Sequence, residues 1–88
     1  MTGCVLLLGL DRVKLRLGRK WAAFESRVHV IAQEVLDEQL GPSDVYRAVD
    51  DASFQICFET SDEDFARDVV QRASALIDAR IESELSGA

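Results

Sequence analysis

Apolar residues change their spacing along the chain, and each change marks an element. Val5 to Leu8 form an unbroken apolar run bounded by Gly3 and Gly9. Such a run predicts a strand covered on both faces, as in the centre of a sheet. The next stretch fits two periods. Val13, Leu15 and Leu17 alternate with Arg12, Lys14 and Arg16, as in a strand, while Leu10, Val13, Leu17, Trp21, Phe24, Val28, Ile31 and Val35 recur at threes and fours. The longer stripe carries more weight and predicts a helix from about Leu10 to Leu40, broken near Gly18. Gly41 and Pro42 end it, Gly41 as a left-handed cap and Pro42 because it cannot continue the ladder. The stripe also fits a coiled coil, but Leu36 and Leu40 widen it, and its aromatic residues suit packing against a sheet.

From Asp44 the period becomes two. Val45, Arg47 and Val49 point one way and Tyr46 and Ala48 the other; Phe54, Ile56 and Phe58 then alternate with Ser53, Gln55, Cys57 and Glu59. Asp50, Asp51 and Ala52 form the short connection of an antiparallel hairpin. Ser61 with Asp64 three places on makes an N-terminal capping pattern, and Asp62, Glu63 and Asp64 suit the positive end of a helix dipole. Phe65, Val69, Ala73, Leu76, Ile77 and Arg80 lie along one side of this helix, and Ile81 and Leu85 extend its apolar surface to about residue 85, leaving the last three residues to fray.

The order strand, helix, strand, strand, helix predicts an α+β fold: a ferredoxin-like βαββα unit, one domain over residues 1–88 with an ordered core of about 4–85. Two long helices cover one face of a sheet of about three strands. Phe54, Ile56 and Phe58 are expected to meet Trp21, Phe24, Val28, Phe65 and Val69. The first strand and the neighbour joined to it through the first helix are expected to be parallel, with a right-handed crossover.

Composition narrows the function. With 48% hydrophobic and 30% charged residues, five Gly and one Pro, the chain is too apolar for disorder and has little room for linkers. The apolar run near the start has no basic residue before it and is far shorter than the ~20 residues of a membrane helix, so it reads as a strand of a cytoplasmic protein. Cys4 and Cys57 lack metal-ligand spacing and read as reduced. Charge is uneven: residues 1–20 hold Arg12, Lys14, Arg16, Arg19 and Lys20 against Asp11, a formal +4, and the remainder carries −10, which sums to the net −6. That acidity disfavours nucleic acid, because the field of the whole molecule repels a polyanion.

Few residues suggest chemistry. Asp50 and Asp51 could share one divalent ion with Asp11, although turn aspartates more often bond their own backbone. His29 has no paired nucleophile and reads as structural. Trp21 beside Arg19 and Lys20 could stack on a purine, but it also lies on the core stripe. No Gly-rich phosphate loop is present.

Two segments carry a resemblance. "GLDRVK" closes the first strand and "RAVDDASF" spans the hairpin turn. In place and partly in letters they resemble the Asp-x-Asp-x-Phe-Lys and Gly-Gly-Asp-Glu-Phe segments of the diguanylate cyclase (GGDEF) domain and the wider nucleotidyl-cyclase palm, over about residues 4–80. The resemblance implies half of that palm, without its later strands. It makes Asp11, Lys14, Asp50 and Asp51 the positions to test for nucleotide or metal. In the family, two carboxylate sites hold paired Mg²⁺ for phosphoryl transfer. Here Gly9 stands where the first metal-binding Asp would be, and the turn lacks both glycines. The resemblance therefore implies a degenerate, non-catalytic module with no cofactor, acting as a homodimer or on a signalling partner. Arg12, Arg16, Arg19, Ile81 and Leu85 are its candidate contact residues. The alternative is a sensor that binds a guanine nucleotide or cyclic di-GMP without turnover.

Overall fold

Phe54, Ile56 and Phe58 alternate with half-exposed neighbours, and this alternation sets the centre of the fold. In the computed structural model, which describes residues 3–86 and their side chains as far as residue 84, they lie on the middle strand of a three-stranded antiparallel sheet. The elements are β1 (Cys4–Gly9), α1 (Asp11–Leu17), a 3₁₀ turn (Gly18–Lys20), α2 (Trp21–Gln39), β2 (Val45–Asp50), β3 (Ser53–Phe58) and α3 (Glu63–Ser86). The fold is α+β in βαββα order.

The sheet order is β1-β3-β2, and this corrects two expectations. β1 is an edge strand, not a central one, and because the helices cover one face of the sheet only alternate members of its apolar run are covered. Leu8 is buried, whereas Val5 and Leu7 are 53% and 63% exposed. The strand beside β1 is β3, antiparallel, with Leu6 opposite Ile56 and Leu8 opposite Phe54. β2, joined to β1 through the helices, runs in the same direction but lies one strand away, because the hairpin places β3 between them.

The chain turns at Gly18, whose φ of 54° lies in the left-handed region that suits glycine. This separates α1 from α2 where the sequence predicts a break. At the far end, Gly41 is not a left-handed cap. The chain leaves α2 through an extended Leu40 (φ −90°, ψ 152°), and the Gly41 amide donates to Asp44 Oδ2 at 2.8 Å. α3 is capped by Asp62 rather than Ser61: the Phe65 amide donates to Asp62 Oδ1 at 3.1 Å. The expected fraying falls mainly outside the described residues.

One apolar core joins the covered sheet face to the helices. Leu10, Val13, Trp21, Val28, Ile31, Val35 and Leu36 contribute from α1, α2 and the residue before them; Ala66, Val69, Ala73, Ile77 and Ile81 contribute from α3. Phe65 departs from its expected place and is 56% exposed, since Ala66 takes the position facing the core. Its small side chain, with that of Ala73, lets α3 lie close. α2 packs on α3 and covers the apolar surface that the sheet leaves over. Across this seam Arg27 forms a bidentate pair with Glu84, and Arg80 Nη2 donates to Glu38 Oε2 at 2.7 Å. Among the described residues, no helix is long and apolar enough to cross a membrane.

Candidate functional site

The end of β1 and the hairpin turn are neighbours, as Gly9 opposite Ser53 requires. The Leu10 amide donates to the Ala52 carbonyl at 2.6 Å and fixes where α1 departs. Around this junction stand all four positions singled out by the resemblance, and the charges of Asp11, Asp50 and Asp51 all act on Lys14.

Asp51 is the hub. Its Oδ2 accepts from Lys14 Nζ at 2.7 Å and from Trp21 Nε1 at 3.3 Å. Its backbone carbonyl lies 2.7 Å from His29 Nε2, and because a carbonyl can only accept, that nitrogen carries the proton. Lys14 Nζ also sits 5.8 Å from the Trp21 ring centroid, and the His29 ring lies 5.3 Å from that of Phe54. Residues from α1 and α2 thus clamp the turn to the helical layer. Asp50, an exposed residue, bonds its own turn, its Oδ1 accepting from the Ala52 amide at 2.8 Å, as turn aspartates commonly do. Asp11 lines a pocket of about 230 Å³ with Gly9, Arg12, Val13, Ser74 and Asp78.

The electrostatics follow from the clamp. The hydrogen bond to Lys14 holds the Asp51 carboxyl below its ordinary 3.8, and the same bond raises the Lys14 ammonium above 10.5. A carboxyl whose folded value is depressed adds stability above its unfolded value and loses it as pH falls through the folded one. The difference in Tm between wild type and Asp51→Asn is therefore full at neutral pH and closes below pH 3.8. A difference that persists unchanged into acid contradicts this role for the pair. Lys14 adds the opposite limb, present below pH 10.5 and lost above it.

Among the described residues there is no group of three or more His, Cys, Asp or Glu arranged to hold a metal ion, and no buried polar or charged side chain. Lys14 and Asp51 are spent on each other. The pocket places Asp11 and Asp78 around one Arg12, whose Nη1 is 3.9 Å from Asp78 Oδ2, a setting that repels phosphate. Trp21, 7% exposed, is part of the core and has no free face for a purine. Cys4 and Cys57 are both free thiols.

Of the candidate contact residues, Arg12, Arg16 and Arg19 are exposed, and Arg16 and Arg19 make no ion pair among the described residues. Ile81 is 2% exposed and fills the core, so it is not a surface residue. The Leu85 side chain lies outside the described residues. Missing from the sequence reading was the uncovered face of the sheet. Val5 and Val45 flank Cys57 there, and Leu7 and Arg47 flank Gln55. Val5, Leu7, Val45 and Val49 are 53%, 63%, 60% and 44% exposed. The alternation in β2 held the signal, but that in β1 was hidden inside a continuous apolar run. No protein-family model matches the chain, and no curated protein and no solved structure matches it.

Proposed function

We propose that the protein is a non-catalytic, GGDEF-like interaction module whose working surface is the uncovered side of its sheet, in a homodimer or on a larger signalling partner. The observation that carries this reading is the exposed apolar set Val5, Leu7, Val45 and Val49 on a sheet with helices on one face only. Among the described residues, the rows across that face hold two charged side chains of opposite sign, Arg47, whose Nε donates to Gln55 Oε1 at 2.9 Å, and Asp50, opposite Ser53 at the hairpin end. Elsewhere the surface is strongly charged and the net charge is −6. Like-charged molecules approach most easily where charge is sparse.

The competing reading is a guanine-nucleotide sensor, and two measurements separate them. Millimolar GTP or cyclic di-GMP with Mg²⁺ is expected to leave Tm unchanged, since a ligand raises Tm only by binding the folded state. Incubation with GTP and Mn²⁺ is expected to yield no cyclic dinucleotide. A ligand-dependent rise in Tm overturns the interaction reading in favour of the sensor, and a product overturns both.

A further inference from the structure

The two edges of the sheet are built differently. β2 carries the usual protections against pairing with another chain: a bulge between Ala48 and Asp50, and the charged residues Arg47 and Asp50. β1 carries none. From Gly3 to Leu10 there is no charged residue, no proline and no irregularity in its register with β3. An unprotected edge presents a row of backbone donors and acceptors that another strand can use.

We infer that β1 is the seam of a symmetric dimer, pairing antiparallel with β1 of a second copy to make one continuous six-stranded sheet. This rests on the homodimer form of the interaction reading: pairing at β1 covers Val5 and Leu7 and joins the uncovered faces of two copies into one larger face. Two features of the strand select a second copy as the occupant. The strip is free of charge on a chain of net charge −6, so it is the place where identical molecules repel least. It is also self-complementary. A two-fold axis perpendicular to the sheet keeps the same face outward in both copies, and directly opposed residues in an antiparallel pair share a face. Opposed residues must then be separated by an even number of positions.

Two registers meet this condition with most of the strand paired. One centred on Leu7 places Val5 against Gly9 of the second copy and leaves Val5 largely uncovered. One centred on Leu6 places Val5 against Leu7 and Leu7 against Val5, so each exposed aliphatic residue of the strand covers its counterpart, and Leu6 meets Leu6 on the covered side. The structure favours the register centred on Leu6, because it removes the larger apolar area from water.

The test compares the full chain with Leu7→Lys and Val45→Lys by light scattering over a range of concentrations, with circular dichroism confirming that both variants fold. Both side chains are exposed on the same face, but Leu7 belongs to the seam and Val45 to the opposite edge. The expected result is a wild-type mass of two chains, Leu7→Lys reduced twofold to the single-chain 9.8 kDa, and Val45→Lys still dimeric. Hydrogen exchange of β1 amides is expected to slow as wild-type concentration rises. If both variants are monomeric, two copies meet face to face and the edge inference fails, with the interaction reading intact. If Leu7→Lys remains dimeric, or the wild type is monomeric at every concentration, the β1 seam is also refuted. The reading itself is lost only through the nucleotide measurements above.

Discussion

Replacing Phe54 with alanine lowers the free energy of unfolding by about 3–5 kcal/mol, the usual range for truncating a fully buried aromatic residue. Phe54 is 0% exposed and sits on the central strand, opposite Leu8 on one side and Ala48 on the other. Its ring lies 5.3 Å from that of His29 on α2 and 6.0 Å from that of Tyr46 on β2, so its loss removes both ring contacts as well as the area it buries. A domain of this size has little stability to spare, since native proteins are held by only about 5–15 kcal/mol. Urea unfolding followed by circular dichroism measures the effect. A loss under about 1 kcal/mol would mean that the cavity collapses without cost, which the close packing around Phe54 speaks against. Leu15→Ala serves as the control: that side chain is 83% exposed, and its removal is expected to leave the midpoint unchanged.

Gly3→Ala destabilises the protein by about 1–3 kcal/mol, the range for a residue held in a sparsely populated backbone region. Gly3 has φ of 141°, where L-residues are rare, and a Cβ built there would lie 2.7 Å from the Phe58 carbonyl oxygen. Backbone on the central strand cannot move aside as the tip of a flexible side chain would, so the substitution displaces the start of β1. The urea midpoint is expected to fall, and the amides at the beginning of β1 are expected to exchange faster. An unchanged midpoint would show that the chain enters β1 by another path. Gly9 gives the contrast within the same strand: a Cβ there would meet Asp11 Oδ2 at 3.5 Å, an ordinary contact, so space does not explain that glycine.

The resemblance noted in the sequence points to a junction between the first strand and the hairpin turn, and the fold does bring those segments together. What stands there differs from a metal site. Lys14 and Trp21 take the Asp51 carboxylate, and Asp50 satisfies its own turn. Sequence spacing could place Asp51 near the end of β1. It could not assign the partner of its oxygens, because Lys14 and Trp21 are 37 and 30 residues away and converge on it from two different helices.

Local physics by itself determined the number, kind and order of the elements. Periods of two and of three to four are properties of a strand and a helix alone, which is why the stripe from Leu10 to Val35, the alternation of Phe54, Ile56 and Phe58, and the break at Gly18 were legible. Strand order was not, because hydrogen bonding between strands is a choice among distant segments and leaves no period in either. Only tertiary structure decided that β3 lies at the centre and β1 at an edge. Tertiary packing also left one face of the sheet without helices, which turns Val5 and Leu7 from expected core residues into exposed ones and moves the candidate site from the acidic turn to the open side of the sheet.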